Sequence, residues 1–219
     1  MCFSATASFS LGAALLSLSV ITSRRARTRS ALPYALIPAL FGIQQLLEGV
    51  LWLSLDASGR CGYPALVQIY SVFSQVIWPV YIPLAVLLLE PPGKRRALIA
   101  ALTVAGTLVS GFLLFYLAHE QVLAQAQSGH VAYIFPHFHE VAATGLYVLG
   151  ACVGPLCSSH RAVRIFGLAV TVALLITYVF YTVWFISVWC FLAATMSVLV
   201  LAQFPGKGNG KFLSTPTHG

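Results

Sequence analysis

Charged residues are scarce in this sequence. Only 8% of its 219 residues are charged and 59% are hydrophobic, whereas about 25% of the residues are charged in an average soluble domain. So little charge excludes an ordinary water-soluble protein, and no stretch of the chain is polar enough to form a separate soluble domain. The sequence therefore predicts one all-α membrane domain over residues 1–205, followed by a flexible cytoplasmic tail over residues 206–219.

Acidic residues are the rarest charged group, with 5 Asp and Glu against 12 Lys and Arg, which gives a net charge of +7. A positive balance can indicate nucleic-acid binding, but here the basic residues lie in short links between apolar runs and form no basic face. Nucleic acid is therefore excluded as a partner, and the expected partner is the lipid bilayer. The 5 cysteines include no Cys-x-x-Cys pair, so they do not indicate whether the protein lies in an oxidising or a reducing compartment. A disulfide between Cys2 and Cys61 is an open alternative.

Seven apolar runs predict seven transmembrane helices. About 20 apolar residues in a helix cross a hydrocarbon core that is roughly 30 Å thick, with every backbone amide satisfied inside the helix. The runs cover residues 8–22, 31–55, 64–89, 97–118, 141–158, 165–183 and 184–204. Helix kinks are expected near Pro79 and Pro83 in the third run.

The distribution of basic residues predicts the orientation. Lys and Arg concentrate in the cytoplasmic links of membrane proteins, and here they follow the first, third, fifth and seventh runs, with Arg60 alone on the other side. This pattern places the N-terminus outside and the C-terminus in the cytoplasm. Six helices would instead leave the C-terminal lysines outside.

Glu48 is the clearest candidate for a functional residue within the spans. An ionisable side chain deep in a bilayer costs several kcal/mol unless it is paired or faces water. Gln44 and Gln45 precede Glu48 by four and three residues, so they lie on nearly the same helix face. Glu48 is therefore the candidate catalytic or ion-coupling group, and the two glutamines are candidate ligand-binding residues.

The third run carries a second polar stripe, formed by Gln68, Ser71 and Gln75 at helical spacing. This stripe enters from the same side as Glu48, so the two polar faces are expected to meet in a cavity open to the outside. Gln68 and Gln75 are candidate ligand-binding residues for a small molecule or a lipid. The alternative is that these amides only join helices by hydrogen bonds.

The segment between the fourth and fifth runs contains a candidate metal site. His119, His137, His139 and Glu140 offer imidazole nitrogens and a carboxylate, which are ligands that zinc and other divalent transition metals accept. Three such ligands and a water would make a hydrolytic centre. No His-Glu-x-x-His motif is present, and histidines of an aromatic membrane interface would give the same composition. Cys2 is a further candidate ligand.

Two segments resemble a family of bacterial multi-pass membrane proteins that is known as a domain of unknown function. They are the opening Met-Cys-Phe-Ser-Ala-Thr-Ala-Ser-Phe and the stretch from Leu40 to Leu53. The resemblance extends over essentially the whole chain and implies a location in the bacterial inner (plasma) membrane. It marks as pattern positions Cys2, Gln44, Gln45 and Glu48, and it implies no activity.

The sequence lacks the characteristic motifs of two other seven-helix families. Alkaline ceramidases carry paired histidines on the last helix, and the last run here contains none. A retinal protein needs a lysine in the seventh run, which is absent as well. Three functions remain: an outward-facing site for a metal or small ligand, with or without enzymatic activity, a transporter or channel with Glu48 as the coupling carboxylate, and an accessory subunit. The accessory subunit would pack against a membrane partner, and a homo-oligomer is equally open.

Overall fold

The computed structural model describes residues 4–55, 63–127, 129–135 and 141–205, apart from the side chains of residues 141–144. Six helices in this part of the chain are long and apolar enough to cross a membrane. They are α1 (Ala5–Arg25), α2 (Arg29–Ser54), α3 (Pro64–Leu89), α4 (Lys94–His119), α6 (Arg161–Phe180) and α7 (Thr182–Gln203). Their positions match six of the seven predicted spans.

The remaining predicted span is a shorter helix, α5. It runs through three consecutive pieces, Val141–Val148, Leu149–Val153 and Gly154–Leu156, of which the middle one is a π-helical turn. Among the side chains that the structure describes, its apolar part covers Gly145–Leu156, and this described part is shorter than the length usual for a membrane-spanning helix. The described residues therefore form six full-length apolar helices rather than the seven predicted.

A β-hairpin between α4 and α5 is the one departure from the predicted all-α class among the described residues. Strand β1 (Leu123–Gln127) pairs antiparallel with β2 (His130–Ile134), and Leu123 lies opposite Ile134. Gly129 has a φ of 78° in the connecting turn, where a residue without a Cβ is favoured. We call the end of the bundle that the hairpin covers the hairpin end.

Helices α1 and α2 pack closely because both carry glycine at their contact. A Cβ on Gly12 would lie 2.9 Å from the Leu46 side chain, and one on Gly42 would lie 3.0 Å from the Gly12 carbonyl oxygen. Small residues at such contacts let two backbones approach, which is how helices associate in lipid. The Thr22 hydroxyl strengthens the pair by donating to the Ala35 carbonyl at 2.7 Å.

Proline interrupts the regular hydrogen bonding of α3 where kinks were predicted. Residues Phe73–Ile77 form a π-helical turn that ends two residues before Pro79, and proline offers no N–H to the preceding turn. The Ser74 carbonyl, five residues before Pro79, accepts the Tyr147 hydroxyl of α5 at 2.6 Å instead. Thus α5 supplies a donor that α3 itself lacks.

Glu90 joins three helices at the end opposite the hairpin. Its side chain is only 2% exposed. It accepts hydrogen bonds from the Ser158 hydroxyl at 2.8 Å and from the Ser159 backbone N–H at 2.8 and 3.0 Å. Arg95 of α4 and Arg164 of α6 both donate to the Ser158 carbonyl, at 3.2 and 3.0 Å. We call this region the Glu90 end of the bundle.

Candidate functional site

Glu48 lies inside the bundle, between α2 and α7. Its side chain is 2% exposed. One carboxyl oxygen accepts the Ser187 hydroxyl of α7 at 2.6 Å, and the other accepts the Gln45 amide at 3.4 Å, which is a long hydrogen bond. The carboxyl is therefore held by one strong contact from a neighbouring helix and one weak contact from its own helix.

Three further side chains surround this carboxyl. The Tyr70 hydroxyl of α3 and the Cys190 thiol of α7 both lie beside Glu48. Gln44, one helical turn before Glu48, accepts the Trp78 indole N–H at 2.7 Å. Because an indole N–H can only donate, this bond places the Gln44 oxygen toward Trp78 and leaves its NH₂ group pointing elsewhere.

Several buried polar atoms of this cluster have no hydrogen-bond partner of standard geometry among the described residues. They are Gln44 Nε2, Gln45 Oε1 and Tyr70 Oη. All three side chains are fully buried, and Gln75 Oε1 on α3 is a further buried atom of this kind. Tyr70 and Gln44 lie within interaction distance of each other, and Tyr70 of Glu48. Since buried polar groups are nearly always hydrogen-bonded, small side-chain adjustments, a water or a small polar ligand would satisfy these atoms.

Glu48 also has no cationic partner among the described residues. An ionised carboxyl enclosed in this way is unfavourable, because neither water nor a counter-charge stabilises it. A negative charge on Glu48 would therefore have to be neutralised by a bound proton or a bound cation. This requirement distinguishes Glu48 from the glutamines, which are neutral in every state.

The hairpin closes the cluster at its own end of the bundle. The Tyr133 ring of β2 stacks on Tyr70, with ring centroids 4.7 Å apart and planes inclined by 7°. Leu51, Val131 and Ile186 belong to the same buried apolar cluster. Apolar packing and a tyrosine pair thus lie between Glu48 and the hairpin among the described residues, and the cavity open to the outside stays a prediction.

Gln68 occupies a different place from the one predicted. Its amide nitrogen donates to the carbonyls of Leu117 and Glu120, the latter at 3.2 Å, and its oxygen accepts the Val122 N–H at 3.3 Å. These contacts tie the end of α4 and the start of the hairpin to α3. Gln68 thus anchors the hairpin rather than facing Glu48.

Replacing Gln68 with alanine is expected to loosen the hairpin. Three hydrogen bonds worth about 1 kcal/mol each would be lost, so amide hydrogen exchange over residues 123–134 should accelerate at least tenfold. Gln125→Ala, on an exposed position of β1, removes the same kind of side chain without touching the anchor and serves as the control. Unchanged exchange in Gln68→Ala would show that the apolar contacts alone hold the hairpin.

The predicted metal site falls largely outside the described residues. His137, His139, Glu140 and Cys2 all lie there. His119 is described: it ends α4, is exposed, and its Nδ1 lies 2.8 Å from the Phe115 carbonyl oxygen. No group of three metal-ligating side chains occurs among the described residues. Binding of zinc or another transition metal stays a prediction, and elemental analysis of purified protein before and after His137→Ala, His139→Ala substitution would test it.

Sequence reasoning singled out Glu48, Gln44, Gln45 and Gln75 but not the other side chains that surround Glu48. Ser187 and Cys190 follow the carboxyl by more than 130 residues, and their spacing of three on one helix is too common to single them out. Tyr70 and Trp78 resemble ordinary aromatic residues of a membrane helix. Only the packing of α3 and α7 against α2 brings these side chains to Glu48.

The chain belongs to a family whose description is "Family of unknown function (DUF6629)", which matches residues 1–211. No curated protein and no solved structure matches it. The family match agrees with the resemblance seen in the sequence, and it adds no activity.

Proposed function

We propose that this member of a family of unknown function is a multi-pass membrane protein that binds a small ligand at Glu48. In the empty site the carboxyl holds a proton. A bound cation takes the place of that proton. The observation that carries the proposal is a fully enclosed carboxyl that lacks a cationic partner among the described residues and adjoins orphaned amide and hydroxyl groups.

A carrier is the function class that this arrangement favours. Intramembrane carboxyls typically belong to proton relays or substrate pathways. Two helices near the site, α3 and α5, contain π-helical turns, which occur frequently at functional sites and allow a helix to change its local register. Exchange of a proton for a cationic solute at Glu48 would couple the movements of the two.

The proposal includes seven membrane crossings with the N-terminus outside. Helix α5 would be the additional crossing, reaching from the hairpin end to Ser158. Three arginines support the orientation by their positions. Arg25, Arg95 and Arg164 all donate hydrogen bonds to backbone carbonyls near the Glu90 end. Under the positive-inside rule that end would face the cytoplasm of a bacterial cell, and the hairpin would face outward.

Infrared difference spectroscopy of the purified protein tests the role of Glu48. The wild type is expected to show the C=O stretching band of a protonated carboxyl at neutral pH, shifted in D₂O. Glu48→Gln should lack that band while retaining the helical amide bands. Glu90→Gln, which alters the second buried carboxyl of the described chain, should leave the band in place.

Two results would count against the proposal. If Glu48→Gln and wild type give the same carboxyl spectrum, no proton resides on Glu48. If Glu90→Gln removes the band instead, the protonated group is at the opposite end of the bundle and Glu48 is a structural residue.

A further inference from the structure

The Glu90 end of the bundle carries a large excess of positive charge. All nine Lys and Arg residues in the described part of the chain lie there, at or beside the ends of α1, α2, α4 and α6. Of the three described carboxylates only Glu90 lies at this end, and it is buried. An excess of basic residues is general for the cytoplasmic ends of membrane proteins, so a specific anion site requires basic side chains that converge.

Two arginines from different helices do converge. Arg95 of α4 and Arg164 of α6 both donate to the Ser158 carbonyl oxygen, at 3.2 and 3.0 Å, and Arg164 also donates to the Ser159 carbonyl at 3.2 Å. Two guanidinium groups that contact one oxygen lie close together and repel each other. The Glu90 carboxylate bonds to Ser158 and Ser159 instead, so neither guanidinium has an ion-pair partner among the described residues.

The free donors of this pair are suited to a phosphate group. A guanidinium has five N–H donors in a planar fork, which matches two oxygens of a phosphate. The carbonyl contacts use only the Nη1 atoms of Arg95 and Arg164, and they hold both side chains in place. A phosphate that accepts from both guanidiniums would neutralise charge that the backbone carbonyls leave in place, with little ordering of side chains on binding.

Exposed apolar residues continue from both arginines along their helices. Leu98 follows Arg95 by three residues and is 50% exposed, and Leu168 follows Arg164 by four residues and is 57% exposed. Residues at these spacings share a helix face. A free phosphate ion would contact the arginines alone, whereas a phospholipid would place its phosphate at the arginines and its acyl chains along the leucines. A phospholipid therefore matches both features.

We propose that Arg95 and Arg164 bind the phosphate of an anionic phospholipid whose acyl chains lie along α4 and α6. A zwitterionic lipid has the same phosphate, but its ammonium group is repelled by the basic residues around the pair, of which Lys94 and Arg161 are exposed. The bound lipid joins the starts of α4 and α6 through the Ser158 link. This inference goes beyond the proposed function and does not depend on Glu48.

Native mass spectrometry of the full-length protein in detergent provides the test. Dioleoyl phosphatidylglycerol is expected to bind with at least tenfold higher affinity than dioleoyl phosphatidylcholine, which has the same acyl chains and no net charge. Sodium phosphate should displace the bound lipid no better than sodium chloride at the same ionic strength, because the phosphate ion lacks the acyl chains.

Two double variants of equal charge locate the site. Arg95→Gln, Arg164→Gln removes the converging pair and should weaken phosphatidylglycerol binding at least tenfold. Arg27→Gln, Arg29→Gln removes two exposed arginines of the same end and should bind within twofold of the wild type. If the first variant does not fold, Arg95→Lys, Arg164→Lys retains both charges but not the planar forks, and should weaken binding threefold or more.

Three results would overturn the proposal. Equal affinities for the two lipids would mean that the acyl chains alone determine binding. Equal losses in the two double variants would mean that phosphatidylglycerol responds to the overall charge rather than to the converging pair. Displacement of the lipid by sodium phosphate well below the matching concentration of sodium chloride would assign the arginines to a free phosphate ion instead.

Discussion

Gly106→Ala is expected to destabilise the protein severely, although it adds a single methyl group. A Cβ at this position of α4 would overlap the Pro79 carbonyl oxygen and lie 2.8 Å from the Pro79 carbonyl carbon. The backbone of α3 cannot give way as a flexible side chain would, because Gly150 of α5 packs against the same carbonyl, where a Cβ would lie 2.7 Å from the oxygen. The cost should be on the order of 3 kcal/mol or more.

The position of Pro83 explains why the Pro79 carbonyl is so closely packed. In a regular helix the carbonyl of residue 79 would accept the N–H of residue 83, but proline has none. The carbonyl is therefore left to the Cα–H groups of the glycines facing it, which are weak donors. A methyl group on Gly106 would remove this contact as well as displace the helix.

Gly111→Ala is the matched control for Gly106→Ala. Gly111 lies on the same helix, and a Cβ there would meet nothing within 4 Å. Alanine is the better helix former by about 1 kcal/mol, so Gly111→Ala should melt at or slightly above the wild-type temperature in detergent. If Gly106→Ala melts at the same temperature as Gly111→Ala, the contact of α4 with α3 is looser than the structure has it.

Glu90→Ala is expected to cost about 3 kcal/mol of folding free energy. The substitution removes the acceptor for the Ser158 hydroxyl and the Ser159 N–H, and a buried donor left without its partner costs about 1–3 kcal/mol. Ser158 is fully buried, so no water would replace the lost partner without rearrangement. Thermal unfolding of the detergent-solubilised protein, followed by circular dichroism, measures the change.

Two substitutions calibrate the Glu90→Ala result. Glu90→Gln retains an acceptor oxygen and should lose less than half as much stability. Glu120→Ala removes a carboxylate that is exposed at the end of α4, where contributions to stability are small, and should have no measurable effect. Equal losses in Glu90→Ala and Glu90→Gln would mean that size rather than hydrogen bonding determines the contribution of Glu90.

Glu90 is a buried, hydrogen-bonded side chain that the sequence pattern did not single out. It stands at the end of an apolar run, directly before Pro91 and Pro92, where an acidic residue is usually exposed to water. Its burial results from the link between α5 and α6, whose Ser158 and Ser159 fold over it. Because these residues are far apart in the sequence, no local pattern around Glu90 indicates that it is buried.

The sequence alone determined the class of the protein and the location of its helices. Apolar length and backbone hydrogen bonding are local properties, so six predicted spans coincide with six helices of the structure. The hairpin was missed because an isolated short alternation of apolar and polar residues is weak against the strong membrane signal around it.

Within the site, the sequence singled out Glu48, since a carboxyl in an apolar run is conspicuous without any structure. The tertiary structure decided which groups surround it. Ser187 and Tyr70 reach Glu48 from helices that are distant in the chain, and Tyr133 closes the site through a hairpin that only folding brings there. A functional group that stands out by its residue type can be identified from a sequence, whereas the burial of that group and its hydrogen-bond partners depend on how the helices pack.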